Sequence, residues 1–231
     1  MRIDIITLFP EFFEGFRNHS IVGRAIKNRK LEVMTHNLRD YANDKYKSVD
    51  DHPYGGGPGM VLRFDVLHRA LTDVRHQTPD TSTKVILLTP QGVVYKQKVA
   101  LELIKEDNLI LICGHYEGVD ERIREYCDIE ISVGDYVLTG GEIPAMIVTD
   151  SVARLLTGVL GDDQSSQDES HSEVLLEYPQ YTRPEEYEGE KVPKILMNGN
   201  HAEIDKWRRE QAIARTKTRR PDLICDSDTM N

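Results

Sequence analysis

Residues 109–118 read LILICGHYEG, an unbroken apolar run from Leu109 to Cys113 followed by a turn marked by Gly114 and Gly118. The run does not alternate with polar residues, so it reads as a strand buried on both faces. Ile3 to Leu8, Lys84 to Leu88 and Ile129 to Val133 have the same character. Helical patterns lie between and after them. Val94 to Lys105 sets Val99, Leu103 and Ile104 on one side, Val119 to Tyr126 has an acidic start, and a third segment opens at Pro144, a favoured first-turn residue, and runs to about Leu156. Strands alternating with helices predict an α/β domain built on a parallel sheet.

Each of the last three strands runs into a loop rich in glycine or proline: TPQG at 89–92, CGHYEG at 113–118 and SVGDYVLTGGE at 132–142. In open α/β sheets, ligands bind at the carboxyl ends of strands, where small residues let backbone groups approach closely. Three such loops predict one pocket. On these residues alone the plainer reading stands equally well, since any buried strand needs a turn after it. Neither G-x-G-x-x-G nor G-x-x-x-x-G-K-[ST] occurs, and YGGGPGM at 54–60 lacks the lysine and hydroxyl with which a phosphate loop holds phosphate and magnesium. Dehydrogenases of the dinucleotide-binding type and P-loop nucleotidases are thereby disfavoured. Spacing leaves open whether that glycine cluster is a flexible segment or a closely packed wall.

The chain has 231 residues with 39% hydrophobic and 29% charged composition, within the range of a soluble globular protein with a sizeable core. Its net charge of −10 excludes a molecule that is cationic all over. Asp4 and Pro10 interrupt any secretory pattern, and the longest apolar run is far shorter than the ~20 residues that span a bilayer, which predicts a cytoplasmic location. Three scattered cysteines without CxxC spacing argue against a disulfide framework or a zinc site. From Gly161 to Ser172 the sequence is GDDQSSQDESHS, with no apolar residue to bury, and it reads as a linker. The expected organisation is therefore a main domain over residues 1–160, a linker over 161–172 and a small, mainly helical domain over 173–231. A helix in the last is announced by Asn200 as cap, Glu203 in the capping-box position and Pro221 as stop.

Within that helix, residues 206–220 carry Lys206, Arg208, Arg209, Arg215, Lys217, Arg219 and Arg220 against the single acid Glu210, a charge of +6 that leaves −16 on the remainder. Basic charge concentrated in this way is what tracking a phosphate backbone requires. Trp207, the only tryptophan, reads as an anchor through Ile204, with stacking on a base as the alternative.

Taken together, ITLFP at 6–10, YGGGPGM at 54–60, CGHYEGVDER at 113–122, GDYVLTGGE at 134–142, GVLG at 158–161 and PQYTRP at 179–184 closely resemble the bacterial tRNA (guanine-N1)-methyltransferases of the SPOUT class. The resemblance is collinear over nearly the whole chain. It implies methyl transfer from S-adenosylmethionine to N1 of guanosine 37, next to the tRNA anticodon, releasing S-adenosylhomocysteine. It also implies a deep trefoil knot and an obligate homodimer with the active site at the subunit interface, and leaves magnesium open as an accessory ion that no ligand cluster in the sequence supports. No spacing argument would have proposed a knot. Carried over by motif, the cofactor site falls on Leu88, Pro90, Gly114, Tyr116, Glu117, Gly118, Val133, Gly134, Asp135, Tyr136, Val137, Leu138, Gly140, Gly141 and Pro144. These positions lie in the three loops already singled out.

Guanine N1 carries a proton at neutral pH, so its methylation requires a base near N1 and a positive donor for the charge pushed onto O6. The resemblance assigns the donor to Arg154, whose plainer reading is an i, i+4 pair with Asp150. Family members usually have an aspartate directly before a serine in the linker. Register on LLEYPQYTRP puts Glu169 there, one methylene longer, with Asp168 as the alternative base and His171 as a bystander. On this reading the knotted domain supplies cofactor and Arg154, and the other subunit's linker and small domain supply Glu169 and the basic helix. The segment after Ile224 is shorter than in many members, which predicts some loss of tRNA affinity. The competing functions are a SPOUT methyltransferase for another RNA position and an RNA-binding protein that holds S-adenosylmethionine without turnover.

Overall fold

The computed structural model describes residues 1–78, 81–160 and 175–225. The chain divides into two compact units, Met1–Gly161 and Asp162–Asn231. In the first, β1 (Arg2–Thr7) is followed by α1 (Glu14–Asn18), α2 (Ser20–Lys27) and β2 (Glu32–Asn37). A short antiparallel pair, β3 (Asp50–Asp51) and β4 (Val61–Leu62), precedes α3 (Phe64–His76). Next come β5 (Thr83–Val94), α4 (Gln97–Leu103), β6 (Asn108–Cys113), β7 (Ile129–Ser132) and α5 (Glu142–Ala153). The second unit holds a hairpin of β8 (Glu186–Tyr187) and β9 (Glu190–Lys191), then α6 (His201–Arg219) and α7 (Asp222–Cys225).

Five strands form one parallel sheet in the order β2-β1-β6-β5-β7. β6 runs through its middle with every residue buried, as its unbroken apolar sequence requires. Alternate residues feed two cores. Leu109 and Leu111 join Ile3, Ile5, Ile86, Val148 and Val152 on the face covered by α2, α4 and α5. Ile110 and Ile112 join Ile6, Val85 and Leu87 on the face covered by α3. The latter helix buries Val66, Leu67, Ala70, Leu71 and Val74, one stripe at helical spacing. Burial of each of its leucines contributes about 1.5–3 kcal/mol.

The four expected strands are present, and the sheet has a fifth, β2, whose sequence EVMTHN gave no apolar run. It is an edge strand in which Val33 is the only fully buried residue, so its residues need not be apolar. The expected helix from Val94 starts at Gln97, because Val93 and Val94 return to the sheet opposite Ile131 and Ser132. The 119–126 segment is a 3-10 turn, Glu121–Tyr126, capped by the Asp120 carboxylate accepting from the Arg122 N–H. In the second unit α6 begins where expected, but the Asn200 side chain does not cap it. Asn198, two residues before it, braces the entry instead: its Oδ1 accepts from the Asn200 N–H, and its Nδ2 donates to Glu203.

One polar cluster is built into the sheet. Asp4 is wholly buried, accepts two hydrogen bonds from Arg2 at 2.8 Å and is bonded to His36 Nε2 at 2.7 Å. Burial alone would raise its carboxyl, but the bonds from His36 and Arg2 outweigh that and hold it below the usual carboxylate range. A depressed folded-state value stabilises the fold above the unfolded pKa of ~3.9, and this contribution is lost as pH falls through the folded value. Asp4→Asn is expected to cost about 3 kcal/mol, at the low end for a broken buried pair because Arg2 stays partly in water. Urea unfolding followed from pH 7 downward should also show a shallower loss of stability on the acid side than in the parent protein.

Candidate functional site

Where β5 is interrupted and at the carboxyl ends of β6 and β7, the three loops enclose a cleft of about 230 Å³. Its first wall is an interruption in β5. Leu88 and Val93 both pair with Ile131, so Thr89–Gly92 stand out of the ladder and put Pro90 and Gln91 on the cleft. The second wall is the turn after β6, with Gly114, His115, Tyr116 and Gly118. Tyr116 holds φ +58°, a conformation that costs a non-glycine residue of order 1 kcal/mol and here directs the turn along the cleft. The third wall is the loop after β7, from Val133 to Gly141, continued by Pro144 in the first turn of α5.

Close backbone approach locks the loops together. The Gly141 N–H donates to the Gly114 carbonyl at 2.8 Å, and His115 bridges Gly140 in an antiparallel pair. A Cβ on Gly141 would lie 2.6 Å from the Cys113 Cα and 2.9 Å from the Gly114 nitrogen, so only glycine fits. The ITLFP strand end fixes the same loop from below. Thr7 Oγ1 donates to Glu142 Oε1 at 2.7 Å with both side chains buried, and the Phe9 N–H donates to Thr7 Oγ1. The YGGGPGM segment is the loop of the β3–β4 pair. The Glu117 N–H donates to the Met60 carbonyl and the Leu62 N–H to the Gly118 carbonyl. Glu117 lies so close over Gly59 that a Cβ there would meet its side chain at 2.4 Å. That end of the glycine cluster is therefore a packed wall.

Of the positions assigned to the cofactor, Leu88, Pro90, Gly114, Tyr116, Gly118, Val133, Gly134, Tyr136, Val137, Leu138, Gly140, Gly141 and Pro144 line the cleft. Glu117 and Asp135 do not: Glu117 is turned onto Gly59, and Asp135 is absent from the lining. Such a glycine-walled cleft offers a ligand mainly backbone groups and apolar side chains, with Glu121 and Arg124 as the charged residues of its lining. It also contains groups that sequence reasoning missed. Gln91 accepts from Arg124 at 2.8 Å, Arg124 in turn pairs with Glu121 and Glu130, and His115 has a buried Nδ1 without a hydrogen-bond partner among the described residues. Gln91 and His115 lay inside the quoted loops, whereas nothing local marked Arg124.

Arg154 is half-buried at the carboxyl end of α5, ten residues beyond Pro144. At 1.5 Å per residue this is about 15 Å along the axis from the cleft at the helix's other end. Its N–H donates to the Asp150 carbonyl within the helix. Glu169, Asp168 and His171 lie outside the described residues, as do residues 226–231. Among the described residues, no three His, Cys, Asp or Glu side chains gather as a metal site, so magnesium has no protein cage there. No helix of the described residues is long and apolar enough to cross a membrane.

The basic stretch of α6 is divided between faces. Lys206, Arg209 and Lys217 are exposed and, at spacings of 3 and 11 residues, share one side. Arg208 is half-buried with its guanidinium over the Tyr178 ring at 4.9 Å, and Arg215 is half-buried too. Arg219 is exposed, and Arg220 is held by Asp222 through two nitrogens.

Comparison with known proteins agrees with this geometry. The family model described as tRNA (Guanine-1)-methyltransferase TrmD matches residues 1–226. Proteins named tRNA (guanine-N(1)-)-methyltransferase from Staphylococcus aureus strains JH9, Newman and N315 are each 55% identical to it over 225 residues, 97% of this chain and 91% of theirs. With a family match over almost its full length and relatives this similar, the chain belongs to the tRNA (guanine-1)-methyltransferase family.

Proposed function

We propose that this protein methylates N1 of guanosine 37 in tRNA, using S-adenosylmethionine held in the glycine-walled cleft, and that a second copy of the chain completes the site. The cleft carries the reading: family membership implies a methyl donor, and thirteen of the fifteen positions assigned to that donor meet around one cavity. When bound, S-adenosylmethionine supplies a methyl group on a positively charged sulfur, whose departure leaves neutral S-adenosylhomocysteine. The Glu169 carboxylate, with Asp168 as the alternative, takes the N1 proton, and the freed N1 lone pair forms the new bond to the methyl carbon as the carbon–sulfur bond breaks. Arg154 stabilises the negative charge that develops on O6. The knotted topology and the cytoplasmic location are carried as further parts of this proposal.

Two observations favour a site shared between copies. Arg154 stands at the end of α5 remote from its own chain's cleft, about 15 Å along the axis, which favours service to the partner's cleft. Beside the cleft, Phe9 packs edge-on against His115, and Ile143 and Ile147, one turn apart on α5, are left exposed with Phe12. Exposed apolar side chains such as these suit a contact between subunits. We therefore assign Arg154, which the motif resemblance had given to the same chain as the cofactor, to the second copy together with Glu169.

Labelled methyl transfer from S-adenosylmethionine to a tRNA transcript carrying G36 and G37, beside the same transcript with A37, tests the function. Label on the G37 transcript alone is expected. Equal label on both would mean another target position, and binding of donor and tRNA without transfer would mean a protein that has lost turnover.

A further inference from the structure

The second unit carries an aromatic surface that the reaction does not use. Residues 176–181 lie along α6. The Leu176 N–H donates to Thr216 Oγ1 at 2.9 Å, Tyr178 sits under Arg208, and the Tyr181 ring lies 6.5 Å from that of Trp207 at an interplanar angle of 48°. Tyr178 and Trp207 are half-buried, so both contribute to packing. Tyr181 is different. The residue is 49% exposed, and its hydroxyl makes no hydrogen bond among the described residues, so its contact with Trp207 leaves much of it open to solvent. Exposed cations lie on the same segments: Arg183 stands two residues on, and Lys206 and Lys217 are about 100° and about 80° round α6 from Trp207, with Arg209 farther round.

We propose that Tyr181, backed by Trp207, is a stacking platform for one unpaired nucleobase of the tRNA, while Lys206, Lys217 and, farther round the helix, Arg209 hold phosphates along the same strand. This deepens the reading of the second unit as a tRNA-binding element and rests on it. Charge complementarity selects the occupant. An exposed aromatic ring beside a row of cations, in a chain that is otherwise strongly acidic, suits a polyanion that presents flat rings. A loop nucleotide meets that description, whereas paired bases within a stem have no free face to offer.

The test measures affinity for the G37 transcript over a range of salt concentrations in Tyr181→Ala, Tyr181→Phe and Arg209→Gln proteins, with the emission of Trp207 in the absence of tRNA as the control for folding of this unit. Tyr181→Ala is expected to weaken binding about 5-fold or more at every salt concentration, and Tyr181→Phe to restore it, since stacking needs the ring and not the hydroxyl. Arg209→Gln should instead lower the salt slope by about 1. If Arg209→Gln weakens binding and Tyr181→Ala does not, the platform is refuted and tRNA binding by this unit stands. If neither changes affinity, the tRNA-binding reading of the unit fails as well. Should Tyr181→Ala unfold the unit, Trp207 fluorescence in the unaltered protein decides. As the only tryptophan, it should be quenched by tRNA with the same affinity as binding, and unquenched emission at saturation would overturn the proposal.

Discussion

Replacing Glu169 with glutamine is expected to lower the rate of methyl transfer to G37 tRNA by about 10²–10⁴-fold, the usual effect of removing a general base, with affinity for S-adenosylmethionine unchanged. Glutamine keeps the length and shape of the side chain but takes no proton from N1. Arg154→Ala should cost about 10²–10³-fold, the scale for losing a donor to a developing oxyanion. Groups that act as a unit are not additive, so the double variant should be little slower than Glu169→Gln alone. Single-turnover rates at saturating donor and tRNA separate these effects from binding. If Glu169→Gln keeps the parent rate and Asp168→Asn loses it, the base is one residue earlier in the chain.

Gly141→Ala should abolish cofactor binding and destabilise the first unit. The added methyl would fall 2.6 Å from one backbone atom and 2.9 Å from another, where no flexible side chain can yield. Relief requires β6 and the loop before α5 to part, which breaks the 2.8 Å bond between the Gly141 N–H and the Gly114 carbonyl and opens two walls of the cleft at once. Overpacking of this kind costs about 1–3 kcal/mol, which in a unit of this size lowers the melting temperature by about 2–10 °C. Calorimetric titration with S-adenosylmethionine and a thermal melt check both halves. Gly55→Ala is the contrasting substitution. Gly55, unlike Gly141, has a positive φ but nothing near its missing Cβ, so only backbone strain is expected and donor binding should persist.

The parts of the fold legible in the sequence were those where physical demand falls directly on residue type. β6 lies between two layers and must be apolar throughout, and the loops after the strands approach one another so closely that Gly141 admits no side chain. β2 escaped because an edge strand with one fully buried residue can be built from EVMTHN. TPQG was recognised as a loop, but that β5 resumes after it depends on pairing with Ile131, a partner about forty residues away in the chain. Glu117 matched its motif, yet its side chain answers to Gly59. The basic stretch of α6 read as one cluster because counting charges takes no account of helical phase. The fold assigns Arg208 to Tyr178 and leaves Lys206, Arg209 and Lys217 facing outward. Arg154 was assigned through its motif, but its distance from the cleft follows from the direction of α5, which no local pattern encodes.

The most direct measurement uses hybrid dimers in which one chain carries Gly141→Ala and the other Arg154→Ala, isolated through two different affinity tags and assayed for methyl transfer to G37 tRNA. Each parent homodimer should be inactive, one for want of donor binding and the other for want of the arginine. If the cleft is completed by the partner, the hybrid regains activity, because the intact cleft of the Arg154→Ala chain receives Arg154 from the Gly141→Ala chain. A hybrid as inactive as both parents, although it binds one donor per dimer, would show that cleft and arginine must come from the same chain and would contradict the shared site.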